Sequence, residues 1–311
     1  MNNPLRFPLT PHGRRQSLPH GRGSERGITQ SPEHKRWAAR SLAKVALLCF
    51  AASLSAQSFI QMSDTQFGMF AKDAEFSHET ANMEFAIATA NRLQPAFVVI
   101  TGDLINKSGD AAQTAEYKRI AARLDPKIRL FSVPGNHDLG NEPTPQSLAL
   151  YRERFGPDYY TFRSGDIAGF VLDSSLLKAP EKVQDEAAKM ENWFRSELAK
   201  AKAEGAKRLI VFQHISFFIQ DPNEPDQYFN IPRETRQRYL KLLHEYGVRE
   251  VFAGHYHKNA EGHDGDLDMV TSGPVGMPLD GAKSGVRIVT LKNGKLTHKF
   301  YDFGDLPQTI E

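Results

Sequence analysis

Five apolar, strand-like runs in this 311-residue chain each end in polar side chains of the kinds that bind metals. The runs are residues 58–63, 97–101, 128–133, 208–213 and 248–253. Helical patterns at residues 78–93, 111–124, 181–204 and 233–246 alternate with them. This alternation indicates an α/β fold with mixed sheets, and open α/β sheets bind ligands beyond the carboxyl ends of their strands. The pattern therefore predicts a functional site at those ends.

The residues after the runs supply carboxylate, amide and imidazole groups. The third run stops at Pro134-Gly135 and presents Asn136, His137 and Asp138 side by side. A turn rich in Asn and Asp needs no function when it stands alone. The other runs lead, in order, to Asp64 and Gln66, to Asp103, to His214, and to His255 and His257. Because ordinary turns do not explain five such coincidences, the sequence predicts a site rather than a set of loops.

The ordered motifs resemble those of one protein family. They are Asp64-x-Gln66, Gly102-Asp103-x-x-Asn106, Gly135-Asn136-His137-Asp138, His214 and Gly254-His255-x-His257. This set resembles the five motifs of the calcineurin-like metallophosphoesterases and spans most of residues 57–311. Gln66, where His is commoner, and segments 212–214 and 228–232 resemble small single-domain members, some regarded as serine/threonine phosphatases. The resemblance implies an α/β fold of two stacked mixed β-sheets flanked by helices, a four-layer sandwich.

The resemblance also implies two divalent or trivalent metal ions. The first ion would be bound by Asp64, Gln66, Asp103 and His257, and the second by Asp103, Asn136, His214 and His255. Asp103 would then bridge the two ions. Oxygen and imidazole ligands of this kind suit Mn, Fe or Zn. Two ions about 3.5–4 Å apart can hold a phosphoryl oxygen and generate a hydroxide. In a strand, His255 and His257 would share one face, which suits chelation.

His137 has a different implied role. By the resemblance it protonates the leaving alkoxide, a task that suits an imidazole because its pKa lies near the working pH. Asp138 is expected to hold the loop in place. Asn106 and Lys107 stand where many protein phosphatases of the superfamily have Asp-Arg, so the acid that orients the histidine is replaced. Asn106 also stands where purple acid phosphatases need a tyrosine ligand, which excludes that class.

The predicted function is hydrolysis of phosphomonoesters, phosphoserine or phosphothreonine among them, by attack of a metal-bound hydroxide and without a covalent phospho-enzyme. Two alternatives stay open. One is a phosphodiesterase that acts on cyclic nucleotides or lipid headgroups. The other is a weakly catalytic, metal-dependent phosphoryl-binding protein, which the substitutions Gln66 and Asn106 favour. All three take a phosphate ester as partner, and nothing in the sequence indicates a particular oligomeric state.

The first 56 residues differ from the rest of the chain. They carry nine Lys or Arg against two Glu, which leaves 30 basic and 35 acidic residues in residues 57–311. A mildly acidic body argues against a nucleic-acid partner. Residues 1–34, rich in Pro, Gly, Arg and Ser, predict a disordered basic leader. Residues 57–311 are predicted to form one phosphoesterase domain.

A charged start at 35–40, an apolar run at 45–54 and small residues up to Ala56 predict a secretory signal that is cleaved after Ala56. The apolar run is too short for a stable membrane anchor. We therefore expect an exported protein, periplasmic or secreted. The alternative is a cytoplasmic protein with an uncleaved tail. Because Cys49 is the only cysteine, the mature chain would have no thiolate ligand.

Further polar groups are assigned lesser roles. His78, His244, His263 and His298 are expected to be structural or on the surface, and Asp264, Asp266 and Asp268 to form a solvated turn rather than a calcium site. The loop 220–227 is flanked by Phe217, Phe218, Tyr228 and Phe229. These aromatic residues either wall a substrate pocket or pack under the loop. Residues 272–276 could present backbone amides to a phosphate.

Overall fold

Residues 56–310 are described by the structure, a computed structural model. The basic leader and secretory signal predicted for residues 1–56 lie outside this range except for Ala56, so cleavage and export stay predictions. The first strand begins at Gln57. None of the helices in residues 56–310 combines the length and the apolarity needed to cross a bilayer.

Eleven strands and seven helices make up the described part of the chain. The strands are β1 (Gln57–Met62), β2 (Phe97–Thr101), β3 (Arg129–Val133), β4 (Tyr160–Ser164), β5 (Ile167–Val171), β6 (Arg208–Phe212), β7 (Glu250–Ala253), β8 (Ala260–Asp264), β9 (Leu267–Thr271), β10 (Gly285–Lys292) and β11 (Lys295–Asp302). The helices are α1 (Ser77–Leu93), α2 (Ala111–Ala121), α3 (Asn136–Leu139), α4 (Pro145–Phe155), α5 (Ser175–Lys178), α6 (Gln184–Ala203) and α7 (Arg233–Tyr246).

The strands form two mixed sheets. The first has the order β11-β10-β1-β2-β3, in which β1, β2 and β3 are parallel and β10 runs antiparallel to β1 and β11. The second has the order β4-β5-β6-β7-β9-β8, in which β5, β6, β7 and β9 are parallel. In each sheet the parallel strands therefore end at a common edge, as the α/β prediction requires.

Aromatic side chains fill the space between the two sheets. Phe59 and Phe97 of the first sheet stack with their ring centroids 4.7 Å apart. Phe212 and Phe252 of the second sheet meet Phe59 edge-on at 5.6 and 5.4 Å. Such offset and edge-to-face pairs are the favoured aromatic geometries. This apolar layer joins the sheets face to face and supports the edge where their parallel strands end.

Helices cover the outer faces of the sheets. Alternate strand residues such as Ile60 and Val98 belong to a second apolar cluster, which the helices complete. Helix α6 contributes the buried residues Met190, Phe194 and Leu198, whose spacing places them on one helical face. The predicted architecture, two stacked mixed β-sheets flanked by helices, is confirmed.

Helix α4 was not anticipated by the periodicity of the sequence, although it carries a local start signal. Pro145 occupies its first position, and the Thr144 hydroxyl accepts a hydrogen bond from the Ser147 backbone N–H. The Ser147 hydroxyl in turn accepts one from the Thr144 backbone N–H. A capping residue followed by proline indicates a helix start even where the apolar pattern is weak.

Strands β10 and β11 form a hairpin, as the dipeptide Asn293-Gly294 between two strand-like runs predicts. Lys292 pairs with Lys295, and the two residues between them, Asn293 and Gly294, have φ of 54° and 75°. Two consecutive left-handed residues form the turn whose twist matches paired antiparallel strands. Asn and Gly adopt this conformation at little cost, which is why the sequence identifies the turn.

Candidate metal centre

The polar residues predicted from the strand ends meet at the edge where the parallel strands of both sheets end. Asp64 follows β1, Asp103 follows β2 and Asn136 follows β3, all in the first sheet. His214 follows β6 and His255 follows β7 in the second. The two sheets therefore supply the two sides of one buried polar centre.

Two groups of side chains in this centre could hold a metal ion. One consists of Asp103, His214 and His255, and the other of Asp64, Asp103 and His257. Within each group one donor atom per residue lies within 4.8 Å of the others, and all five residues are buried. Asp103 belongs to both groups. This is the arrangement expected of a carboxylate that bridges two ions.

The tautomer of His214 is set by the backbone. Its Nδ1–H donates a hydrogen bond to the Thr101 carbonyl at 2.8 Å, because a carbonyl only accepts. Nε2 then lies 3.1 Å from Asn136 Oδ1 and 3.2 Å from Asp103 Oδ2. The hydrogen bond at one ring nitrogen thus directs the other towards two further candidate ligands, as is usual for metal-binding histidines.

The other two imidazoles are oriented in the same manner. His257 donates from Nδ1 to the Met277 carbonyl at 2.6 Å, which leaves Nε2 at 3.4 Å from Asp64 Oδ1. His255 uses the opposite nitrogen and donates from Nε2 to the Tyr228 carbonyl at 3.2 Å, which leaves Nδ1. Each histidine therefore keeps one ring nitrogen with which it can bind a metal ion.

Two buried oxygens in the centre make no hydrogen bond within residues 56–310: Gln66 Oε1 and Asp103 Oδ2. An unsatisfied buried acceptor costs about 1–3 kcal/mol. Both oxygens belong to candidate ligands, and a bound cation would satisfy them. The donor set of carboxylate and amide oxygens with imidazole nitrogens therefore fits hard or borderline metal ions.

Five candidate ligands have left-handed backbone conformations. The φ angles are 49° at Asp64, 39° at Gln66, 49° at Asp103, 67° at His255 and 56° at His257. A non-glycine residue in a sparsely populated region costs about 1–3 kcal/mol, and such residues cluster at functional sites. The expectation that His255 and His257 share the face of a strand is wrong. Both follow β7 in a bend, and the left-handed turn brings their side chains to the centre.

Two glycines of the motifs are required by close packing. A Cβ at Gly135 would overlap the Asp103 carboxylate, and a Cβ at Gly254 would overlap the Ser63 hydroxyl and lie 2.6 Å from Asp64 Oδ2. Real Cβ atoms do not approach other atoms so closely. The backbone of one motif therefore packs directly against the carboxylate of another.

Burial and charge act in opposite directions on the titratable groups. Burial raises the pKa of Asp64. Burial also acts to raise the pKa of Asp103, but the neighbouring His214 holds it well below its usual range. For His214, burial acts to lower the pKa, yet the Asp103 carboxylate raises it to about 9. Burial and the charge of His214 lower the pKa of His255 to about 3. The buried carboxylates thus favour positive charge beside them, whether from a protonated His214 or from a bound metal ion.

His137 lies at the edge of the centre and is only partly buried. Its backbone N–H donates to Asp103 Oδ1 at 2.8 Å, and its Nδ1 donates to the Asn106 carbonyl at 2.8 Å. The group that orients this imidazole is therefore a backbone carbonyl. That explains how Asn106 can stand where an acidic side chain is commoner, and Nε2 of His137 makes no hydrogen bond to another described residue.

Asp138 holds the loop, as the sequence suggested. Its carboxylate accepts hydrogen bonds from the backbone N–H groups of Gly135 at 2.8 Å, Leu104 at 3.2 Å and Ile105 at 3.1 Å. These bonds tie the segment after β2 to the segment after β3. Asp138 is thus a structural residue that fixes the relative position of Asp103 and Asn136.

The aromatic residues around loop 220–227 divide into two pairs. Phe217 and Phe218 are fully buried in the core. Tyr228 is 51% exposed, and its ring and that of Phe229 lie 4.7 and 5.6 Å from the His255 ring. The packing interpretation is therefore correct for Phe217 and Phe218, while Tyr228 and Phe229 lie beside the centre and their part in a substrate pocket stays a prediction.

The segment 272–276 does not offer its amides to a ligand. The Val275 N–H donates to the Ser63 carbonyl at 2.7 Å and the Gly276 N–H donates to the Asp64 carbonyl at 2.9 Å. The idea that these amides hold a phosphate is wrong, because the loop uses them to fix the segment that carries Asp64. No sequence signal distinguishes the two uses.

The remaining acidic and histidine residues lie outside the centre. Asp264, Asp266 and Asp268 belong to the β8–β9 hairpin, where Asp264 accepts from His244 and Asp268 accepts from His263, both at 2.8 Å. Their assignment to a solvated turn, and that of the two histidines to the surface, agrees with these contacts. Sequence reasoning overlooked Asp73, whose contacts with Asn106 and Gln113 span 33 and 40 residues of chain and leave no local pattern.

Comparisons with known proteins agree with this geometry. The family model for calcineurin-like phosphoesterases matches residues 58–259. The serine/threonine-protein phosphatase CPPED1 of Bos taurus is 34% identical over 265 residues, covering 80% of this chain and 85% of that protein. The Homo sapiens protein of the same name is 33% identical over 266 residues, covering 80% and 85%. A dimetal phosphatase structure from Danio rerio superimposes with a TM-score of 0.56 at 16% identity, covering 79% of this chain and 99% of that one.

We expect Gly254→Ala to lower the metal content of the purified full chain, because the added Cβ must displace Ser63 or the Asp64 carboxylate. The control is Gly205→Ala, which has a positive φ of 71° but no heavy atom within 4 Å of the added Cβ. It introduces backbone strain without touching the centre. Metal per chain, measured by plasma mass spectrometry after refilling with Mn²⁺, should fall in the first variant only. Equal metal content in the two variants would contradict the packing argument.

Proposed function

Because the chain belongs to the calcineurin-like phosphoesterase family and is a metal-dependent phosphoric ester hydrolase, we propose that it hydrolyses phosphate monoesters at a dinuclear metal centre. The observation that carries this proposal is the sharing of Asp103 between two ligand groups. Asp64, Gln66 and His257 complete the proposed first site, and Asn136, His214 and His255 the second. Mn, Fe or Zn would suit these donors.

The residues of the chain have distinct parts in the proposed reaction. Two ions bound here would supply Lewis acidity to the phosphoryl group and an activated water for attack on phosphorus. The carboxylate of Asp103 would contribute to both sites and offset part of the positive charge that the two ions bring. The amide oxygens of Gln66 and Asn136 add neutral donors, which keep the net charge of the centre more positive than carboxylates would. A positive centre favours binding of a phosphate ester.

His137 is proposed to act as the general acid. Its Nδ1–H is held by the Asn106 carbonyl, so the proton that it delivers is the one on Nε2. Protonation of the departing oxygen lets the alcohol leave as a neutral molecule, which is the step that general acids assist. The backbone N–H of His137 bonds to Asp103, and this bond keeps the imidazole next to the bridge.

The proposed substrate class is phosphoserine or phosphothreonine and related monoesters. The curated relatives at 33–34% identity are named serine/threonine-protein phosphatases, which supports this choice. The rings of Tyr228, which is exposed, and of Phe229 lie beside the ring of His255. Their rings can contact the group attached to the phosphate while the phosphate itself is at the metal ions.

Export is proposed as well, on the basis of the signal pattern of residues 35–56. Expression of the full chain in a bacterial host, followed by fractionation, should give a periplasmic or secreted protein whose N-terminus is Gln57. The control variant Leu47→Arg interrupts the apolar run and should leave the precursor inside the cell. An uncleaved chain in the cytoplasmic fraction for both proteins would contradict export.

Substrate preference and metal dependence can be measured together. The full chain is stripped of metal, refilled with Mn²⁺, and given 4-nitrophenyl phosphate or bis(4-nitrophenyl) phosphate. We expect turnover of the monoester that disappears on stripping and in Asp103→Asn, because the bridge then loses its charge. Asp266→Asn, an exposed residue of the β8–β9 turn, is the matched control and should keep full activity. Faster turnover of the diester would instead identify a phosphodiesterase.

His137→Ala should keep both metal ions and lose turnover by about 10²- to 10⁴-fold, the usual contribution of a general acid. The reason is that His137 contacts the bridge only through its backbone N–H, which alanine retains. Metal content and kcat are measured on the same preparation, with the exposed His263→Ala as control. Loss of metal in His137→Ala would show that the imidazole is a ligand, contrary to the proposed role.

A further inference from the structure

Asp73 lies outside the proposed ligand set but reaches the centre through a chain of side chains. Its Oδ1 accepts hydrogen bonds from Asn106 Nδ2 and from Gln113 Nε2, both at 2.8 Å. Asn106 Oδ1 in turn accepts a hydrogen bond from Gln66 Nε2 at 3.2 Å. Asp73 is thus connected to a proposed ligand of the first ion by two successive hydrogen bonds.

The direction of these bonds follows from the chemistry of the groups. An ionised carboxylate can only accept, so the amide that faces Asp73 must present its NH₂ group. Asn106 therefore turns its carbonyl oxygen towards Gln66, and Gln66 must answer with its own NH₂ group. The oxygen of Gln66 is then left on the other side, where it is buried and unpartnered within the described residues. Only that oxygen can bind a cation.

The same carboxylate fixes a second amide. Because Gln113 presents its NH₂ group to Asp73, its Oε1 accepts from the backbone N–H groups of Asn106 at 3.1 Å and Lys107 at 2.9 Å. These bonds hold the backbone whose next carbonyl, that of Asn106, accepts from His137. Hydrogen bonds therefore link Asp73 both to the proposed ligand Gln66 and to the segment that orients the proposed acid His137.

The turn that carries Asp73 is held in place by hydrogen bonds of its backbone. The Asp73 N–H donates to the Gly68 carbonyl at 2.8 Å, and the buried Glu79 accepts from the N–H groups of Gly68 and Phe70. A Cβ at Gly68 would lie 2.6 Å from Gln113 Nε2 and 2.8 Å from Asp73 Oδ1. The absence of a Cβ at Gly68 therefore leaves room for the Asp73 carboxylate to meet the Gln113 amide.

We propose that Asp73 is a positioning residue that sets the polarity of Gln66, so that the amide presents its oxygen and not its NH₂ group to the first metal ion. The proposal rests on the dinuclear centre proposed above. Without the acceptor at position 73, Asn106 and Gln66 can each rotate by half a turn. The NH₂ group that then faces the ion repels it instead of binding it.

The test is direct titration of the metal-free full chain with Mn²⁺ by calorimetry, which needs no turnover. Asp73→Ala removes the acceptor and should lower the affinity for one of the two ions about 10- to 100-fold. This is the usual effect of losing a residue that hydrogen-bonds to a metal ligand. The other ion should bind as in the wild type. Electron paramagnetic resonance should then change from the spectrum of a coupled Mn²⁺ pair to that of an isolated ion.

Two further variants test whether the effect of Asp73→Ala comes from the lost hydrogen-bond acceptor, from the lost charge or from a disturbed turn. Asp73→Asn removes the same charge but keeps a carbonyl oxygen that can accept from both amides, so it should retain both ions. Lys72→Ala, the exposed neighbour in the same turn, should have no effect. If Asp73→Asn loses as much affinity as Asp73→Ala, or if Asp73→Ala binds both ions normally, the proposal is wrong.

A double variant tests the route through Gln66. An imidazole at position 66 does not depend on the orientation of an amide, so Asp73→Ala should change Mn²⁺ affinity less than about threefold in a Gln66→His background. The full loss in that background would overturn the route. If the wild-type chain itself does not bind two ions, the proposed dinuclear centre is wrong. This result differs from a failure of the Asp73 proposal, because it is seen in the wild type and needs no change at Asp73.

Discussion

The buried carboxylate of Asp103 is the constraint around which the strand ends are arranged. A buried charge is costly unless other groups compensate it. The His137 N–H and the His214 ring approach it, and Gly135 allows the neighbouring backbone to come close. One of its oxygens still lacks a hydrogen bond within residues 56–310. The fold therefore keeps a concentrated negative charge where two ligand groups overlap, and the proposed metal ions would balance it.

The scaffold beneath the centre has to tolerate this charge and the strained backbone around it. Gln61 of β1 donates across the sheets to the Ala253 carbonyl of β7 at 2.9 Å, just below the centre. Under it lies the layer of phenylalanine rings that joins the sheets. The left-handed residues Asp64 and Asp103 each follow a fully paired parallel strand. Stability in the sheets thus offsets strain in the loops, as is usual at functional sites.

An amide side chain can face a metal site with either its oxygen or its NH₂ group, and only the oxygen can bind the ion. Carboxylates do not have this ambiguity, and neither do histidines whose ring is fixed by a hydrogen bond to a carbonyl. In this structure, neighbouring side chains fix the orientation of two candidate amide ligands. Gln66 is oriented by Asn106, and Asn136 donates from Nδ2 to Asn141 and to the Tyr228 hydroxyl, which leaves its Oδ1 towards His214. Neighbours that only accept, or that are themselves fixed, decide which atom faces the centre. Residues remote in sequence therefore take part in the proposed metal binding.

Much of the architecture could be predicted from the sequence, because strand patterns, glycine stops and ordered polar motifs are local. The polar residues from Asp64 to His257 could be placed at the strand ends in advance, and the hairpin turn at Asn293-Gly294 and the hydrogen bonds of Asp138 to its loop could also be anticipated. The conformation of His255 and His257, the carbonyl that orients His137 and the link from Asp73 to Gln66 could not. Each depends on backbone angles or on contacts between segments that only the folded chain brings together. The kinds of chemical group that are available, and their order along the chain, follow from the sequence alone. Which atom of each group faces the centre depends on the tertiary structure, because hydrogen bonds between distant segments orient the side chains.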